Sequence, residues 1–539
     1  MSTHLTRRGL LRGALAISAA GVAGAACGSE PVANSQSAND KVQLPNYLKY
    51  GGVKPDLAGN AQGLADGFYG YPKSVVTATH DVPGDGKAVT ALVDSPSSIP
   101  PGVDRNKFWQ ALNKRIGSEL KPTIIPTSDW NAKFATTIAG GQLPDLVEIW
   151  TTPPPRADML AAQFLDISEH VTGDAIKNYP FLANIPTDSW RQCVYNGGIY
   201  GVPVPRGAMS SSILYRRDDL LKARSLDPNP KAFADFLRLC QEATDTRRNV
   251  WAVGGSPLAF IQQMLGVANN WKLDGGKLTN ANELPETKAA LEAASQLFKA
   301  GVIHPDSFSA NVGTLRKAWL NAGSCLFVWD TYPAWPGYYL ANTAGPAFDL
   351  GAMDVPAYQP GMTATPWMGN PTHNLVGFAK SAKSRVKTLL RICDWLAAPF
   401  GTAEYLFRKY GIENVDYTMD RGEPTRTDTG KAETSLSLGY LADAPQVFYQ
   451  EGLPNVVKKE YEHQKKLIAA AVVDPTLGLV SQTQTIKGNQ LDTKIVQAQN
   501  DIMQGKRPVS DWDAVVQDWR RSGGDQVRSE LEKAIQERG

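Results

Sequence analysis

Cysteine is scarce here: five occur in 539 residues, and no two are spaced C-x-x-C, so no thiol-based metal site is written into the chain. Six histidines (His4, His80, His170, His304, His373 and His463) show no i, i+4 pairing, which leaves no expectation of a metal. The chain also lacks the G-x-S-x-G elbow, the H-E-x-x-H helix, the phosphate-cradling G-x-x-x-x-G-K-[ST] loop and the G-x-G-x-x-G turn. No cofactor is expected. Carboxylate pairs of a glycoside hydrolase stay open, because they meet in space and not in sequence. Long basic runs are missing too: of 55 Lys and Arg against 53 Asp and Glu, Arg7, Arg8 and Arg12 lie before residue 27, so the remainder is close to neutral. That excludes a nucleic-acid partner, which needs a clustered basic surface.

What the N-terminus has is an export pattern. Thr6 to Arg12 matches a twin-arginine signal, and the small apolar run Gly13–Ala26 is too short to span a bilayer. Gly24-Ala25-Ala26-Cys27 resembles a lipobox, with Gly24 where leucine is usual, and implies a lipid on Cys27 that holds the protein to the cell membrane. The alternative is cleavage after Ala23-Gly24-Ala25. Residues 28–47 are polar and read as a flexible tether reaching roughly 25 Å; 48–87, rich in Gly and Pro, read as a wrap on the surface of a lobe. Export would permit disulfides among Cys193, Cys240, Cys325 and Cys393 in three pairings. Cys240 and Cys393 lie on apolar helical faces, however, so buried free thiols are expected.

From Val89 the pattern becomes regular. Val89–Val93 reads as a strand with a polar loop from Asp94 at its carboxyl end. A helix striped by Phe108, Trp109, Leu112, Ile116 and Leu120 follows, then a strand over Thr123–Ile125. A helix striped by Trp130, Phe134 and Ile138 stops at Gly140-Gly141, and a third strand, Leu146–Ile149, ends at Trp150. This is βαβαβ, which predicts a parallel sheet. Later strands are expected at Trp251–Val253, Ser324–Val328, Asp349–Met353 and Asn374–Phe378.

Between these halves, Asn196-Gly197-Gly198 is hairpin chemistry. Pro203 and Pro205 bar the run Ile199–Pro205 from a sheet interior and make it a stiff connector. The run Ser211–Tyr215 and a helix start at Asp218 or Asp219 follow. In this order, YNGGIYGVPVP…ILYRRDDLL resembles the hinge of the bacterial extracellular solute-binding proteins of ABC importers, the maltose-binding protein class. Similar to the class are also KFATTIAGGQLPDLVEIW and the Gly275-Gly276-Lys277 hairpin, while Gly411–Tyr417, with Asn414 at a usual glycine, and Gly505 with Trp512 resemble its larger lipoprotein branch.

The resemblance implies an α/β, two-lobed periplasmic-binding-protein-like fold, each lobe a mainly parallel sheet flanked by helices, with a ligand cleft between them. The implied divisions are 1–27 signal, 28–87 tether and wrap, 88–205 first part of lobe 1, 206–373 first part of lobe 2, 374–410 return to lobe 1, and 411–539 C-terminal helices of lobe 2. It further implies a monomer that binds a carbohydrate, partners two membrane permease subunits and, through them, an ATPase, and catalyses nothing. A secreted carbohydrate-active enzyme and an importer subunit for a non-sugar ligand are the competing readings.

The 13 tryptophans carry the site expectation. A sugar ring offers an apolar C–H face edged with hydroxyls, which calls for a flat aromatic beside carboxylates, amides or arginine. Trp150, Trp329, Trp335 and Trp367 sit at strand ends or in loops, near Glu148, Asp330, Asn370, His373 and Asn374, with Asp94 and Arg206 from neighbouring loops. Core packing is the alternative for each, and the expected role of Trp109, Trp130, Trp319 and Trp395 on helical stripes.

Overall fold

The computed structural model describes residues 34–538 apart from His80, Pro153 and Thr343. The twin-arginine segment and Cys27 lie outside the described residues. Two sheets organise the chain. Nine strands build them: β1 (Val89–Ser95), β2 (Leu120–Pro126), β3 (Leu146–Trp150), β4 (Val202–Pro205), β5 (Ser212–Arg217), β6 (Trp251–Gly254), β7 (Cys325–Thr331), β8 (Leu350–Met353) and β9 (Thr372–Phe378). Lobe 1 has the order β2-β1-β3-β9-β4 and lobe 2 the order β8-β5-β7-β6.

β1 pairs parallel with β2 and β3, whereas β9 is antiparallel to both β3 and β4. In lobe 2, β5 is antiparallel to β7 and β8, and β7 is parallel to β6. Each sheet is therefore mainly parallel with one reversed strand. The reversed strands, β5 and β9, are the ones reached directly from the other lobe. A strand that enters a lobe from the cleft must run away from it, against strands whose carboxyl ends face it.

Local chemistry explains most element ends. The helix Lys107–Ile116 is capped by Asn106 and stopped by Gly117 at φ 64°. Leu120, expected on that helix, begins β2 instead, because the left-handed glycine turns the chain three residues earlier. Asn196 and Gly197 both adopt positive φ, the two-residue turn that suits a hairpin. Asn414 takes φ 62°. Val202–Pro205 is more than a connector: it pairs with β9, but at the sheet edge, where proline's missing N–H costs no ladder bond.

Lobe 1 closes on one core and lobe 2 on two. Alternation along β5 sends Leu214 to one lobe 2 core and Ile213 and Tyr215 to the other. The four cysteines are free and buried.

Two expected divisions are corrected. Residues 411–539 do not all join lobe 2: Leu436, Leu438, Leu441 and Ala442 are buried in the lobe 1 core. Glu433 anchors that segment by accepting the Phe108 amide at 3.0 Å. From Phe448 and then the helix Pro454–Ala470 onward the tail packs on lobe 2, so the chain crosses a third time near residues 444–453.

Residues 34–47 are not a free tether. The short helix Gln36–Asn39 is fastened at both ends of the cleft, with Asn39 Oδ1 accepting the Gly197 amide at 2.9 Å and Gln36 Oε1 accepting the Val480 amide at 3.1 Å. Polar side chains read as flexible are here spent on backbone groups. The wrap beyond it touches both lobes, through Leu48 on Ala183 and Ala65 on Gln464.

Candidate functional site

The carboxyl ends of β1, β3 and β7 and the crossings at Arg206–Ser211 and Met368–Pro371 bound the space between the lobes. Two cavities open there. The smaller, about 410 Å³, has Thr151 and Thr152 after β3 on one side and Trp329 and Trp367 on the other, with Asn370 at the crossing. The larger, about 1050 Å³, lies between the loop Ser97–Ile99 with the helix Ala403–Tyr410 on one side and Tyr332–Leu340 on the other. Met209 lines the larger and Ser210 the smaller, so the crossing turn stands between them.

Trp329 and Trp367 are both half-buried. Trp329 leans on Phe260 at 5.9 Å between ring centroids. Trp367 is pinned by its indole N–H, which donates to the Val267 carbonyl at 2.8 Å. Each thus has a face held in place and a face left to the cavity. Asn370 is fixed by the Thr372 amide at 3.0 Å.

On the lobe 1 side a polar strip leads from the smaller cavity toward the larger. His373 is exposed, stacks against Tyr440 at 5.1 Å, and neighbours Asn374, whose side-chain amide donates to the Tyr440 carbonyl at 2.9 Å. Neighbouring protein and then the Arg206 charge lower the His373 pKa. Trp150, opposite Asn374 across the β3–β9 pair, stacks on buried Trp130 at 6.0 Å. None of Trp150, Glu148, Asp94, Arg206, His373 and Asn374 lines either cavity; they form a floor at the ends of β1, β3, β4 and β9, outside both linings.

Glu148 and Asp94 support that floor. Glu148 is fully buried, accepting the Asp94 amide at 2.8 Å and the Trp150 indole N–H at 3.2 Å. Burial, and then the Asp94 charge, push its pKa well up. Burial also raises Asp94, against the lowering bonds from Thr127 and Glu148. Asp94 Oδ1 and Asn374 Oδ1 have no partner among the described residues.

Two expected contacts are overturned. Trp335 is fully buried in a lobe 2 core, edge-on to Tyr215 at 5.1 Å. It follows β7 by four residues, but the helix Ala334–Leu340 turns it inward. Asp330 is 6 % exposed and committed to Arg316 at 3.3 Å and the Tyr338 hydroxyl at 3.2 Å. Strand alternation puts it on the face opposite Trp329.

Reasoning on the sequence missed the larger cavity's wall, made by Tyr405, Arg408 and Lys409 with Asp443. Tyr405, Arg408 and Lys409 sit on an amphipathic helix that reads as packing, and Asp443 on a segment without period. The doublet Arg408-Lys409 at the end of that helix was the one available signal.

Residues 107–406 match the family described as bacterial extracellular solute-binding protein. Lipoprotein LipO of Bacillus subtilis (strain 168) is 24% identical over 466 residues, covering 80% of this chain and 89% of LipO. The polygalacturonan/rhamnogalacturonan-binding protein YtcQ of the same organism is 22% identical over 461 residues, with 80% and 89% covered. Among solved structures, the N-glycan transport solute-binding protein NgtS of Streptococcus pneumoniae superimposes with a TM-score of 0.62 at 16% identity, over 84% of this chain and 99% of that one. With its two lobes, three crossings and interlobe cleft, the chain belongs to the bacterial extracellular solute-binding proteins, a family of binding proteins.

Proposed function

We propose that this protein captures an oligosaccharide in the interlobe cleft and delivers it to the permease of an ABC importer. The observation that carries the reading is the pair Trp329 and Trp367, two anchored indoles facing Thr151, Thr152 and Asn370 across a cavity of about 410 Å³. Flat apolar faces opposite hydroxyls and amides match a sugar ring's own division into C–H faces and hydroxyl edges. The names of YtcQ and NgtS, both sugar binders, support it.

Because the walls come from both lobes, contact is completed only as they approach, and ligand shifts the population toward the closed form. The partners are two permease subunits that recognise that form and, through them, an ATPase. Export through Arg7-Arg8 and a lipid on Cys27 would hold the protein at the outer face of the cell membrane. Mass spectrometry of the membrane-extracted chain tests this: a lipidated Cys27 as first residue supports it, and an unmodified Ala26 start overturns it.

The protein does not cleave its ligand on this reading. Glu148, a raised-pKa carboxyl near the cleft, has both oxygens engaged and no exposed surface, and Asp94 beside it is 4 % exposed and lines neither cavity, so neither has an open path to a glycosidic oxygen. The test is a melting-temperature screen with mono- and oligosaccharides. A ligand that binds only the folded state raises stability by RT ln(1 + [L]/Kd). A rise without products supports capture; multiple turnovers would make the protein an enzyme.

A further inference from the structure

The larger cavity carries a charge imbalance that capture of a neutral sugar leaves unexplained. Asp443 is 4 % exposed and shared by three cations: Arg408 at 2.7 Å, Lys409 at 3.4 Å and Arg206 at 4.0 Å. Among the described residues, none of the three has a second carboxylate within ion-pair distance. Burial alone would raise Asp443, but Lys409, Arg408 and Arg206 outweigh it and hold the carboxyl at about 2. One firm negative charge thus answers three positive ones.

The rest of the wall does not restore the balance. Arg426 is answered by Glu451 at 3.7 Å and lies over the Tyr410 ring at 4.4 Å. Lys431 pairs with Asp428 at 3.1 Å. On the opposite wall Glu460 is 2 % exposed and makes no ion pair with Arg206, Arg408 or Lys409. Around Asp443 itself, three cations share one carboxylate.

Their placement points to a ligand. The Arg408 and Arg206 side chains are 1% and 10% exposed, so bulk water solvates them poorly, and charge in such a place is costly unless an anion meets it. Lys409 is 31% exposed and lines the cavity, the one cation of the three with a free approach from within it. Beside it stand Tyr405 and, on the lobe 2 wall, Tyr339, faces suited to a sugar ring.

We propose that the larger cavity binds the carboxylate of an acidic sugar, a uronate unit of the captured oligosaccharide, through Lys409 with Arg206 and Arg408 behind it. The inference rests on the carbohydrate-capture reading and narrows its substrate class. A carboxylate replaces a sugar's CH₂OH without altering the ring, so the tyrosine faces and the cation serve one unit together. Charge-assisted bonds are about twice as strong as neutral ones, which turns the excess charge into discrimination between acidic and neutral chains.

The test compares, by titration calorimetry on the full chain, oligogalacturonates and oligomannuronates of three to six units with carboxyl-reduced chains of the same linkage and length. A sulfated neutral oligosaccharide serves as a second anion. The expected result is at least one uronate chain bound about tenfold or more tighter than its reduced form, with an affinity that falls as salt rises. Lys409→Gln is expected to abolish most of that ratio, with the melting temperature followed to show that the variant is folded. Equal or tighter binding of the reduced chains, a preference for sulfate over carboxylate, or an unchanged ratio in folded Lys409→Gln overturns the proposal. The wild-type comparison stands even if the variant does not fold. If neutral sugars bind and uronates do not, only this inference falls; if no sugar of any kind raises the melting temperature, the capture reading falls with it.

Discussion

Trp150 and Glu148 are held together on one face of β3, the indole N–H donating to Glu148 Oε1 at 3.2 Å. The same carboxyl takes the Asp94 amide, so one buried acid fixes both a candidate platform and the end of β1. Its pKa lies well above the ordinary 4.5 because of burial first and Asp94 second. A raised carboxyl pKa means that the folded state holds its proton longer than the unfolded one. The stability this contributes is full below the unfolded value and is lost as pH rises toward the folded value. Glu148→Gln should therefore flatten the fall of the melting temperature above about pH 4.5; a variant that tracks the wild type across that window would contradict the assignment.

The tryptophans divide into two kinds. Trp329→Ala and Trp367→Ala should each weaken sugar binding by roughly 5- to 150-fold, equivalent to about 1–3 kcal/mol, while folding survives. Calorimetry on each variant reads this, and unchanged affinity would remove that indole from the site.

Trp335→Ala should do the reverse. The ring is fully buried, so its loss should cost about 3–5 kcal/mol of stability, with little direct effect on affinity. Chemical denaturation measures it, and a wild-type midpoint would refute the packing role.

Gln36→Ala with Asn39→Ala should loosen the lobes, because the short helix they occupy bonds Gly197 on one side and Val480 on the other. Each bond contributes about 0.5–1.5 kcal/mol. Small-angle scattering of the unliganded variant should show a larger radius of gyration, and no change would mean that the strap does not restrain the lobes.

Cys193, Cys240, Cys325 and Cys393 are buried and free. Burial raises all four thiols, so they should resist a thiol reagent in the native protein and react fully in denaturant. Rapid native labelling of any one would place it at the surface.

The strands were legible because most are short apolar runs buried on both faces and turn chemistry marks the hairpin at Asn196-Gly197. Trp329 and Trp335 were not separable in sequence, since both follow the same strand; a single helical turn after Pro333 sends the second inward. The cluster around Asp443 was illegible for another reason. Its members stand at 206, 408, 409 and 443, brought together by a return of the chain to lobe 1 that extends past residue 410. Periodicity reports which face of an element is apolar, and says nothing of charges met across two separate visits to one lobe.

Those repeated visits bear on how the protein is made. A chain released at residue 205 would hold β1 to β4, but β4 has no partner except β9, and β3 would leave its far edge bare until residues 372–378 arrive. The lobe 1 core would still lack Leu436, Leu438 and Leu441, and lobe 2 would wait for Leu531. Domains that form from one continuous segment can settle while the ribosome is still at work. Here lobe 1 waits for residues 436–442 and lobe 2 for the last helix, so shorter intermediates expose apolar surface, and those that end before residues 372–378 also leave strands unpaired. Truncation at the hinge should consequently yield aggregating fragments in place of isolated lobes.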